Sequence, residues 1–121
     1  EDEAKKYGLQ DVLGVLDEDV RLKAGNDGHV RAHISITLNP SSVAAYENLA
    51  KVYQANVVKE PGSVSFKFLR NLEHQNSIII MEEWSSVSDL QVHLSLSSTK
   101  EFVSETNKMI VFQKSEFIQQ L

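Results

Sequence analysis

Residues 82 to 94 read EEWSSVSDLQVHL, a strand running into Trp84 followed by a helix that presents His93 nine residues later. That spacing places an aromatic ring and a titratable group near one seam. Histidine alone titrates near neutrality without strong perturbation, so His93 is the candidate for taking up and returning a proton. Its helical face also carries Leu90 and Leu94, which turns the ring toward the sheet or its rim. The structural alternative is a histidine bonded to a backbone carbonyl or an adjoining loop, and it stays open. Glu82 has the parity of Ile78, Ile80 and Trp84 and is drawn to the same side of the strand. A half-buried carboxylate there either pairs with a cation at the rim or has a raised pKa and acts as acid or base. Tyr46 and Tyr53 lie seven residues apart on a predicted helix, so both rings face the sheet, as core packing or with hydroxyls at a pocket edge.

Other chemistries have little to work with. The chain has no cysteine, which removes disulfides, thiolate nucleophiles and thiolate metal sites together. His29 and His33 are four apart, but on a strand that is about 13 Å, too far to share one ion. A net charge of -5 with scattered basic residues opposes nucleic-acid binding. No apolar run approaches the about 18 residues of a membrane span. A cytoplasmic protein without membrane contact is expected.

These residues need elements to hold them. With 121 residues, the chain fits one globular domain with a core of its own. Residues 1–28 are acidic and glycine-punctuated and read as an N-terminal extension, with a short helix marked by Leu9, Val12, Leu13, Leu16 and Val20. Gly25 to Gly28 then supplies a turn. Residues 29–121 form the main domain. From His29 to Leu38 apolar and polar residues alternate, a strand with one apolar face. Val43, Tyr46, Leu49, Ala50, Tyr53 and Val57 mark one side of a long helix that stops before Pro61-Gly62. Val64 to Phe68 and Ser77 to Trp84 form a hairpin around a polar loop, Asn71 to Asn76. Ser85 or Ser86 caps a second helix, Phe102 and Val103 mark helical continuation past an interruption at Ser97-Ser98, and Met109 to Ile118 is the last strand. This order predicts an α+β, ferredoxin-like split βαβ fold with a four-stranded antiparallel sheet. Its uncovered face, with His33, Ser35, Leu69, Ile79 and Met81, suits a partner sheet better than open water, so a homodimer through that face is expected.

Glu60-Pro61-Gly62, then Glu82-Glu83-Trp84, Leu90, His93-Leu94 and Phe102, resemble the antibiotic biosynthesis monooxygenase family across roughly residues 29 to 118. The resemblance implies a dimeric α/β barrel with a pocket between sheet and helices. It also implies a cofactor-independent reaction, without flavin or metal, in which a quinol, anthrone or polyphenol loses a proton and its anion reduces dioxygen. His93 and Glu82 would then be catalytic, and Trp84, Tyr46, Tyr53, Phe66 and Phe68 would line the pocket of a small aromatic substrate. One departure stands out: the family's H-L-x-S-P-H-F run is His93-Leu94-Ser95-Leu96-Ser97-Ser98-Thr99 here, a serine replacing the second histidine. Haem-degrading relatives place an axial histidine where Val103 stands, and valine cannot ligate iron. Haem degradation is disfavoured.

A monooxygenase acting on a small aromatic or quinol with dioxygen is therefore the leading reading. The alternative is a non-catalytic dimer that binds a small hydrophobic ligand or serves as an assembly module. A minor third, an isomerase on a phosphorylated or carbonyl substrate, would need a basic clamp, and Lys67 and Arg70 have opposite strand parity.

Overall fold

The computed structural model describes residues 22–121. Strand β1 (Val30–Leu38) is followed by a short 3-10 turn at Pro40–Ser42 and helix α1 (Val43–Val57). Strands β2 (Ser63–Arg70) and β3 (Ser77–Trp84) form the hairpin, helices α2 (Val87–Ser95) and α3 (Ser97–Thr106) follow, and β4 (Ile110–Ile118) closes the chain. All pairings are antiparallel in the order β2-β3-β1-β4. This is the ferredoxin-like α+β fold predicted from the element order. The helix expected over Leu9 to Val20 lies outside the described residues.

Alternation in β1 translates directly into burial, with Val30, Ala32, Ile34, Ile36 and Leu38 buried against the helices and the residues between them half-exposed. On α1 the buried set is Tyr46, Ala50, Tyr53 and Val57, one side of a helix as the spacing requires. Ser86 caps α2 by accepting the Asp89 backbone N–H at 3.0 Å. Asn71 accepts backbone N–H groups from Glu73 and His74, which shapes the hairpin loop. Before β1, Gly28 takes φ +86° in the expected turn, and Arg31 joins Asp27 of that turn to Glu83 on β3.

The interruption read at the serines falls one residue earlier: at Leu96 the backbone turns extended, with ψ 144°, and a separate helix α3 starts after it. Among the described residues, no side chain caps the N-terminus of α3. The break matters for the site because it redirects the residues after His93.

Across the helix-facing side of the sheet, register sets the floor beneath those helices. One row runs Phe66, Glu82, Ala32, Phe117 and the next Phe68, Ile80, Ile34, Ser115. Ala32 and Ser115 are the small members of these rows. They leave space where larger neighbours would have filled the core.

Candidate active site

A cavity of about 60 Å³ occupies that space. His93 and Thr99 look into it from the helices, Tyr53 from α1, and Phe66, Glu82 and Phe117 from the sheet. His93 itself is buried, at 3% exposure, near the C-terminal end of α2.

The loop between α1 and β2 supplies the partner that orients His93. Gly62 takes φ +82°, and a Cβ there would collide with Asp89 at the start of α2. Only glycine lets the loop approach the helix so closely. The Gly62 carbonyl accepts the Ser85 N–H at 2.9 Å, which locks that approach. Glu60, two residues earlier, consequently lies beside the last turn of α2. His93 Nδ1 donates to Glu60 Oε1 at 2.7 Å, an assignment of the proton that rests on the carboxylate being acceptor only. Nε2 then carries the lone pair. Its neighbour is the Tyr53 hydroxyl at 3.4 Å, and that hydroxyl donates to Thr99 Oγ1 at 3.0 Å. The imidazole therefore keeps an acceptor available on the cavity side.

Trp84 touches both groups singled out from sequence. Its ring lies over His93 with centroids 4.5 Å apart and planes inclined by 31°, and its indole N–H donates to Glu82 Oε1 at 2.6 Å. Burial pushes the Glu82 carboxyl pKa up. The Trp84 hydrogen bond and the His93 ring act in the opposite direction, and the Glu60 charge adds to the rise. Burial likewise raises the Tyr53 hydroxyl, so it serves as a neutral hydrogen-bonding group.

Of the residues expected from sequence, His93, Glu82, Tyr53 and Phe66 meet at the cavity. Trp84 is fully buried behind them and outside the wall. Tyr46 and Phe68 are directed elsewhere, to a second hollow of about 180 Å³ between α1 and β2, rimmed by the paired Arg70 and Glu47. Sequence reasoning did not assign Glu60 or Thr99 to the site. Glu60 stood in the Glu60-Pro61-Gly62 run, where the glycine was a usable signal of a close approach. Thr99 carried none, since helical spacing says nothing about which way a residue beyond an interruption at Ser97-Ser98 will face. The break at Leu96 brings it back, 3.5 Å from Nδ1. Val103 lines the cavity as an apolar wall residue.

The family model of antibiotic biosynthesis monooxygenases matches residues 29–105, more than half of the chain. A Nitrosomonas europaea protein assigned to those monooxygenases superposes with TM-score 0.75 at 11% identity, covering 82% of this chain and 96% of its own. A conserved Methanosarcina mazei protein gives 0.73 at 19%, over 78% of this chain and 95% of that one. A variant of SnoaB, a cofactor-independent oxygenase from Streptomyces nogalater, gives 0.69 at 15%, over 77% and 93%. At such identities the likeness establishes fold alone. No curated protein matches the sequence significantly. Among the described residues, no helix is long and apolar enough to cross a membrane.

Proposed function

The chain belongs to the antibiotic biosynthesis monooxygenase family, and from that premise we propose that it is a cofactor-independent monooxygenase of a small aromatic or quinol substrate. The observation that carries this reading is the His93 imidazole, oriented by Glu60 through Nδ1 and free to accept a proton at Nε2 inside an apolar cavity. Loss of a proton to Nε2 makes the substrate an electron-rich anion. That anion reduces dioxygen, and a C–O bond forms as a peroxide that takes a proton back from His93. Cleavage of the O–O bond, with loss of the hydrogen still carried by the oxygenated carbon, leaves a carbonyl and releases water. One oxygen atom ends in product and the other in water with both hydrogens. Burial favours the protonated form of Glu82, the form that can donate a hydrogen bond to the oxygen anion, and the surrounding apolar wall keeps bulk water from competing.

Two further features belong to this reading. The protein works as a homodimer joined through the outer sheet face, and it acts in the cytoplasm. A second reading, a small-ligand-binding module without catalysis, draws on the narrowness of the cavity.

Dioxygen uptake separates them. Purified protein is supplied with reduced benzoquinols, naphthoquinols and anthrones in metal-free buffer, beside folded His93→Ala and Glu60→Gln variants. Uptake above the spontaneous rate is expected with the wild type, with a loss of about a hundredfold or more in His93→Ala, the range of a general base. Glu60→Gln keeps the base and replaces the carboxylate beside Nδ1 with a neutral amide, so an intermediate rate is expected. No excess uptake across the panel from well-folded protein would overturn the oxygenase and leave the binding module.

A further inference from the structure

The polar residues of the cavity wall are Tyr53, Glu82, His93, Thr99 and Ser115; the remainder is aliphatic or aromatic, and no Lys or Arg among the described residues lines it. What charge reaches the interior is negative. Glu60 lies against His93, and its charge adds to the reluctance of the Tyr53 hydroxyl to ionise. An anionic ligand entering here would leave its water and meet no cation, a cost that nothing in the wall offsets.

Size is as restrictive as charge. The free space is about 60 Å³, against roughly 150 Å³ for an apolar protein cavity that takes up benzene. A ring therefore enters only when part of the wall gives way. Phe66, Leu90, Leu94, Phe102 and Val103 are buried and packed among helices or the inner sheet. Phe117 differs from them: it is half-buried, it lies one residue from the end of the edge strand β4, and its neighbours Glu116 and Ile118 are exposed. Ala32, its partner across β1, is too small to brace it.

We propose that the cavity selects uncharged, single-ring phenols or quinols, and that Phe117 is the side chain that yields to admit the ring and sets the upper limit on its size. As a statement about substrate it rests on the monooxygenase reading; as a statement about binding it does not. The selectivity fits the proton chemistry. A neutral substrate becomes anionic only once its proton sits on His93, so the new charge forms beside an imidazolium. A carboxylate or phosphate carried in from solution gains no such partner.

Trp84 is the one tryptophan of the chain and lies against His93, so its fluorescence reports occupancy. Under nitrogen, p-cresol, 4-hydroxybenzoate and anthrone are titrated into wild type, Phe117→Ala and the milder Phe117→Leu, with circular dichroism as the check on folding. Saturable quenching by p-cresol is expected, with 4-hydroxybenzoate weaker by about tenfold or more, the order set by an unpaired charge. Anthrone is expected to bind the Phe117 variants and not the wild type. Equal affinity for p-cresol and 4-hydroxybenzoate would overturn the charge selection. Anthrone binding to wild type as tightly as to either variant would overturn the role of Phe117, and failure of p-cresol to quench would overturn both. Since dioxygen is absent, saturable p-cresol binding alongside a negative uptake assay removes the oxygenase and keeps the selectivity.

Discussion

Glu82 shows how one side chain registers its surroundings. It shares a row with Phe66, Ala32 and Phe117, and loss of water is the largest influence on its carboxyl, which holds its proton above the ordinary carboxylate range. Between the ordinary value and the raised one, folded protein keeps a proton that the unfolded chain has released. Stability therefore falls as pH rises across that window and levels off above it. Glu82→Gln copies the neutral carboxyl and cannot ionise. Urea unfolding from about pH 4 to about pH 9 is expected to show this decline in the wild type and a smaller one in Glu82→Gln. Parallel curves for the two proteins would mean that Glu82 ionises as freely in the fold as outside it.

Among the elements, the loop before β2 does more for the site than its length suggests. Gly62 combines a positive φ with contact against Asp89, and that approach seats Glu60 on His93. Gly62→Ala meets both obstacles, so a loss of stability above about 1 kcal/mol is expected in urea unfolding. The displaced loop should also free Nδ1 from Glu60, visible as a changed His93 ring nitrogen resonance in NMR. A variant of native stability with an unchanged resonance would show that the loop tolerates a side chain. The break at Leu96 acts in the same way from the other side, since it delivers Thr99 to Tyr53 and His93.

At the scale of the whole molecule, the outer face of the sheet has no helix packed on it among the described residues. Leu69 and Ile79 sit in one row, Lys67, Met81, His33 and Glu116 in the next, and Phe112 lies beside Thr37 at one end. Leu69, Met81, Phe112 and Ile118 are all at least 39% exposed. This much apolar surface on one sheet face is what the proposed homodimer would bury. Met81→Lys places a charge at its middle and leaves the helix-facing core untouched. Sedimentation is expected to show a dimer for the wild type and mostly monomer for Met81→Lys, with unchanged circular dichroism. A monomeric wild type would remove the dimer from the proposal.

Much of this was legible in the sequence for a definite reason. Side-chain alternation and helical spacing are properties of a few consecutive residues, so β1 could be given its buried face and α1 its Tyr46-Ala50-Tyr53-Val57 side from the chain alone. Strand order followed from the succession of elements, and His93 and Glu82 could be turned toward a common seam by parity. Tertiary structure decided what met there. Glu60 reaches His93 across 33 residues through a loop without periodicity, and Thr99 reaches it through a change of helix axis. Nothing in the spacing of Tyr46 and Phe68 shows that they flank a different hollow from Tyr53 and Phe66. The volume of the cavity depended on Ala32 and Ser115 lying in neighbouring rows of paired strands, a coincidence of register. Which way a residue faces is set locally by backbone geometry; which groups converge, and how much space remains between them, is set by the packing of elements distant in the chain.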